Sequence, residues 1–138
     1  MKCRDLILAF TITVASFAAT AQPAANDHWV GIWNAHVDGL PTNTLTLAAD
    51  TGELGGTVVL DMLSDEGGRA HVIASEPHVL MNPHLEGGTL TFQVRMNRPG
   101  ATKFLATFEM KLTSPGIADF HCLNCGASAP VVELTRAR

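Results

Sequence analysis

The segment His121-Cys122-Leu123-Asn124-Cys125-Gly126 holds two of the chain's three cysteines. Thiols at this spacing can bind a metal, exchange electrons as a dithiol, or close a disulfide. Covalent haem needs Cys-x-x-Cys-His. Here Gly126 follows Cys125 and the histidine precedes Cys122, so haem attachment is excluded. A zinc or copper site takes three or four ligands. His121, Cys122 and Cys125 supply three at most, and no second Cys-x-x-Cys or His-x-x-x-His pair occurs. A redox dithiol usually sets its first cysteine at a helix N-terminus, which lowers the thiol pKa, and no helix is predicted here. Across a β-turn, residues i and i+3 lie within about 7 Å, often inside the Cα window that a disulfide needs. A disulfide between Cys122 and Cys125 is therefore the first expectation. A metal site on His121, Cys122 and Cys125, or a thiol-redox pair, are the alternatives.

The other chemistry-bearing residues make weaker patterns. His78 and His84 flank Pro77 and Pro83 in EPHVLMNPHLEGG and read as exposed loop residues. His36 and His71 fall opposite the apolar positions of their segments. Beyond residue 21 the serines are Ser64, Ser75, Ser114 and Ser128, and none stands in a Gly-x-Ser-x-Gly elbow. Asp65 and Glu66 sit in a glycine-rich turn and read as a solvated pair. No phosphate loop or dinucleotide fingerprint occurs. The expectation is a non-enzymatic protein with no cofactor.

The N-terminus, MKCRDLILAFTITVASFAATAQ, has the form of a secretory signal: Lys2 and Arg4, an apolar run from Leu6 to Phe17, then Ala19-Thr20-Ala21 as a small-x-small cleavage site. The run falls short of the roughly 20 residues of a membrane span. Cleavage after Ala21 predicts a periplasmic or secreted product, with a single domain over residues 22–138 and no membrane attachment. Of nine Lys/Arg and thirteen Asp/Glu, removal of Lys2, Arg4 and Asp5 leaves seven against twelve. A net charge near −5 offers no basic stripe for nucleic acid and none for anionic lipid.

These residues must be positioned by strands. Helical periodicity is weak beyond residue 28, and period-two alternation is strong. In TLTFQVRMN, Leu90, Phe92, Val94 and Met96 share one face. In KFLATFEMKL, Phe104, Ala106, Phe108, Met110 and Leu112 point inward, with Leu105 the outward misfit. NTLTLA alternates Leu45 and Leu47 with threonines. In GTVVLDML, Gly56, Val58, Leu60 and Met62 form one face, while Val59 and Leu63 spoil the other. Further strands are predicted over Trp29–Val37, Ala70–Met81 (bent near Pro77), Ile117–His121 and Val131–Arg136. His28 and the residues before it read as a loose tail. Turn chemistry separates the segments: Asp38-Gly39, Asp50-Thr51-Gly52, Asp65 to Gly68, Glu86 to Gly88, Pro99-Gly100 and Pro115-Gly116. About eight short strands with short loops predict an all-β fold, an antiparallel up-and-down barrel in preference to a sandwich.

The first and last strands add a likeness. Gly31-x-Trp33 in WVGIWNAHVDG, with Leu134-Thr135-Arg136 near the end, resembles the signature of calycin-type barrels, the lipocalins and avidins. There an arginine of the last strand packs across the tryptophan of the first. Such a contact is worth about 0.5–2 kcal/mol. TLTLAADTGELGGTVVL, with Gly56 and Thr57, resembles the second hairpin of these barrels. The pattern is similar to small secreted bacterial barrel domains, some of which precede a hydrolase domain. The resemblance implies structural closure by Gly31, Trp33 and Arg136. It does not extend to biotin binding, since the chain has two Trp and no Tyr. An eight-stranded barrel either fills its interior or holds one small ligand. The expected function is binding of a small apolar or amphipathic ligand in the barrel mouth, with Trp33 as floor and Phe92, Phe104, Phe108 and Met110 as wall. A purely structural or interaction module is the remaining alternative.

Overall fold

Among the described residues period-two alternation is realised as nine strands: β1 Gly31–Val37, β2 Leu40–Asp50, β3 Glu53–Ser64, β4 His71–Val79, β5 Met81–Glu86, β6 Thr89–Met96, β7 Phe104–Ser114, β8 Ile117–Cys122 and β9 Val131–Arg136. The computed structural model describes residues 26–97 and 103–138. The expected signal segment, residues 1–21, lies outside them, as does the Pro99-Gly100 turn. Among the described residues no helix is long and apolar enough to cross a membrane.

All nine strands belong to one antiparallel sheet in the order β4-β3-β2-β1-β9-β8-β7-β6-β5. Strands adjacent in the chain pair with one another, except β4 and β5, and the one pair not adjacent in the chain is β9 with β1 through Trp33↔Arg136, Asn34↔Thr135 and Ala35↔Leu134. Two-residue turns at Asp38-Gly39 and Thr51-Gly52, with positive φ at both positions, match the twist of the strands that they join. Where β2 and β3 meet at Leu47↔Gly56, a Cβ on Gly56 would run into the Thr46 carbonyl oxygen. Only glycine lets the two strands approach this closely.

The expectation of an antiparallel all-β sheet of about eight strands is met with nine, and the expectation that it closes into a barrel is corrected. The sheet is not closed. Its two edges, β4 and β5, are consecutive in the chain, with Leu80 alone between them. β4 pairs with β3 from Thr57↔Val79 to Ser64↔His71, and β5 pairs with β6 from Met81↔Gln93 to Glu86↔Thr89. One run of chain thus serves one edge with its first half and the other edge with its second. Closure would need the same residues to pair on both sides. Pro77 and Pro83 each remove an amide donor from this run. Asn82, at φ 49°, breaks the β5–β6 register between Met81 and His84. The ninth strand comes from this same run. Its Met81–Glu86 portion reads as a loop in the sequence, yet it pairs.

Alternation decides the core. Trp33, Leu45, Leu47, Val58, Leu90, Phe92, Val94, Met110 and Leu134 lie fully buried on the concave face, each contributing about 1.5–3 kcal/mol for its larger side chains. Phe92, Phe108 and Phe120 stack from neighbouring strands, the last two with ring centroids 5.0 Å apart and planes within 2° of parallel. At one end residues 26–28, expected as part of a loose tail, are held in place. Residues 26–29 form a turn in which the Trp29 and Val30 amides donate to the Asn26 carbonyl. Asn26 Nδ2 also donates to the Gly52 carbonyl at 2.6 Å. This turn buries Trp29, and the Trp29 carbonyl accepts the Trp33 indole N–H at 2.8 Å. Met62, expected inward, is 54 % exposed, because the far half of the β3–β4 hairpin extends past the packed face.

Candidate functional site

The end opposite Trp29 carries the Cys122–Cys125 loop and a cleft of about 400 Å³. Alternation on β7 and β8 points Phe108, Phe120 and Cys122 to the concave face. They form one side of the cleft, with Leu60 of β3 and Val132 of β9 beside them and Cys125 and Ser128 to Pro130 above. Asn43 of β2 completes it.

Asn43 is placed by a bulge. The β1–β2 register passes from Asn34↔Thr44 to Ala35↔Thr42, leaving Asn43 as the extra residue at φ 44°. A bulge of this kind re-aims a side chain. The Asn43 backbone N–H donates to Asp61 Oδ2 at 3.0 Å, and its side-chain Oδ1 accepts the Asp61 backbone N–H at 2.9 Å. Ser75 Oγ donates to Asp61 Oδ1. The carboxylate is therefore committed to holding the bulge, and Asn43 Nδ2 is the side chain's uncommitted donor at the cleft wall. Next to it, Thr42 is fully buried, and its Oγ1 has no hydrogen-bond partner.

The loop above the cleft is fastened twice. Cys122 and Cys125 lie at disulfide bonding distance, with Cα atoms 5.5 Å apart. Between them, Asn124 stands in for a strand residue. Its Oδ1 accepts the Thr107 amide at 2.7 Å and its Nδ2 donates to the Leu105 carbonyl at 2.8 Å. The Leu123 amide donates to the Thr107 carbonyl at 2.7 Å. The edge of β7 is thus satisfied past the end of β8 by the Asn124 side-chain amide together with the Leu123 backbone N–H.

The expected site residues fall in several places. Phe108 lines the cleft. Phe104 is half-buried and packs against the core. Trp33, Phe92 and Met110 are enclosed in the core, and none of the three lines this cleft. Trp33 and Arg136 face each other in register. The Arg136 side chain crosses Gly31, its Nε lying 2.9 Å from where a Gly31 Cβ would stand, so this position accepts no larger residue without displacing the arginine. Ring contacts among the described residues are the three phenylalanine stacks. His121 is the register partner of Glu109, and alternation turns it to the face opposite Cys122. Among the described residues no three His, Cys, Asp or Glu side chains gather as a metal set. His78, expected on an exposed loop, lies in β4 with its side chain 11 % exposed, and Nε2 is 3.5 Å from Glu76 Oε2.

Phe120, Leu60, Val132 and Asn43 are cleft residues that the sequence reading did not select. The alternation Ala118, Phe120, Cys122 was the available signal for Phe120. No family model, curated protein or solved structure matches the chain.

Proposed function

We propose that this chain is a non-enzymatic binding protein, periplasmic or secreted, which takes a small apolar or amphipathic ligand in the cleft at its disulfide end. The carrying observation is the cleft itself: about 400 Å³, walled by Phe108, Phe120, Leu60 and Val132, with Asn43 and Ser128 as its polar members. Small-molecule sites are concave and mostly apolar, with a few polar groups that fix orientation, and span about 300–1,000 Å³. The ligand's apolar body rests on the parallel Phe108 and Phe120 rings, and a polar end meets the Asn43 amide. The cysteine pair supports an oxidising compartment, as does the form of the N-terminus. The likeness of Gly31-x-Trp33 and Arg136 to calycin-type barrels supports the same reading, since those proteins hold ligands at one mouth.

The test is thermal unfolding across a panel of fatty acids, phenols and aromatic acids, repeated with Ser128→Trp. Ser128 is an exposed loop residue at the cleft, so the bulky variant fills the site without touching the core. At least one compound raises the melting temperature of the unmodified chain and not that of Ser128→Trp. A panel with no active member, or a shift that survives the substitution, overturns the reading.

A further inference from the structure

The half-open sheet leaves β4 with one unsatisfied edge. Its first seven residues, His71 to Pro77, are all exposed. Among the described residues only β3 pairs with them. The bulge between Met62 and Leu63 leaves Ile73 with no β3 partner, since Met62 pairs with Ala74 and Leu63 with Val72. Ile73 is 58 % exposed, and Val72 and Met62 beside it are exposed as well. An edge of this kind, apolar and unpaired, is a template for another strand.

We propose that the occupant is β4 of a second copy of this chain, added antiparallel about a two-fold axis. The charge order along the segment and the bend before it selects this partner. Arg69 stands in the bend two residues before the strand and Glu76 near the end of its exposed run. A parallel copy would set like charges side by side, whereas an antiparallel copy sets Arg69 against Glu76 twice, once in each direction. With the axis between Val72 and Ile73, Arg69 faces Glu76, Ala70 faces Ser75, His71 faces Ala74, and the two apolar residues face each other at the centre. Opposite charges directly across an antiparallel pair attract, and like charges repel. The ladder stops at Pro77, which has no amide to donate. An isologous contact closes on itself as a dimer and does not extend into a fibre.

Sedimentation of the purified chain over a range of concentrations tests this. The chain forms a dimer that dissociates on dilution, and amides of residues 71–76 exchange more slowly in the dimer than in the monomer. Ile73→Lys, at a solvent-exposed position, weakens the dimer roughly tenfold or more with its circular dichroism unchanged, because an edge lysine blocks strand addition. Glu76→Arg alone weakens it, and Glu76→Arg combined with Arg69→Glu restores it. A chain that stays monomeric at every concentration leaves the edge to a strand of another protein or to none, and overturns the proposal. A dimer indifferent to Ile73→Lys, or one in which β4 exchange does not change, places the contact elsewhere and overturns it equally. A double charge exchange that is no tighter than Glu76→Arg alone overturns the antiparallel register.

Discussion

Reducing the Cys122–Cys125 pair should destabilise the fold by an amount that depends on Asn124. The bridge closes a loop of sequence separation 3. Chain-entropy bookkeeping for so short a loop gives about 1.5–2 kcal/mol at 25 °C. Asn124 makes two hydrogen bonds to β7, each worth about 0.5–1.5 kcal/mol net. The site is exposed, and water replaces both bonds when they are lost, so Asn124→Ala should cost about 1–2 kcal/mol. The two fastenings hold one loop. The bridge keeps Asn124 poised over Leu105 and Thr107, so that without it the amide must be ordered from a freer chain. Neighbouring interactions of this kind couple by about 0.5–3 kcal/mol, and here the sign is set: the combined loss falls short of the sum. Urea unfolding followed by tryptophan fluorescence suits the measurement, because Trp29 and Trp33 are both buried. Four curves are needed, the chain and Asn124→Ala, each oxidised and reduced. Midpoints that do not move on reduction, or two costs that simply add, would refute joint fastening.

Thr42 offers a stabilising change. Its fully buried hydroxyl lacks a partner, a condition that costs about 1–3 kcal/mol. Thr42→Val keeps the shape and removes the hydroxyl, so calorimetry should find the melting temperature raised by several degrees, at roughly 3–6 °C per kcal/mol for a domain of this size; an unchanged or lowered value counts against the unpaired hydroxyl. Gly56→Ala should destabilise by about 1–3 kcal/mol or more, because its Cβ meets the Thr46 carbonyl. Gly55→Ala, with open space around its Cβ, should stay within about 0.5 kcal/mol, and equal losses at the two positions would sink the steric account.

How far the sequence spoke depended on how cleanly each strand separates two environments. β6 and β7 have one buried face and one wet face, so Phe92, Val94, Ala106 and Phe108 announce themselves by alternation. β4 is wet on both faces, and its residues carry no such signal. β5, MNPHLE, pairs through its backbone despite Pro83 and shows no apolar period. Closure was least legible. It depends on whether the two halves of one run overlap in stagger, and no residue pattern encodes that. The turn over Asn26 to Trp29 has a similar origin, since its anchor is the Gly52 carbonyl, a backbone group that any residue would supply.

The site shows a different limit. Alternation says that a side chain points inward, but not whether it meets a ligand or another side chain. Trp33, Phe92, Met110 and Phe108 are equally inward by pattern, yet the Trp29 turn plugs one end of the concave face and leaves the other open. Distance from that plug separates them. Trp33 lies against it through the Trp29 carbonyl, while Phe108, paired with Cys122, stands beside the far loop and reaches the cleft. The polar end of the cleft was hidden for another reason. Asn43 sits in a run that reads as a regular strand, and only its tolerance of positive φ hinted at the bulge. What fixes its side chain is the Asp61 backbone N–H on the next strand, which donates to Asn43 Oδ1 while the Asp61 carboxylate accepts the Asn43 backbone N–H, a pairing set by register. The wall of this cleft was therefore partly readable from period alone, and its polar member only from how β2 and β3 align.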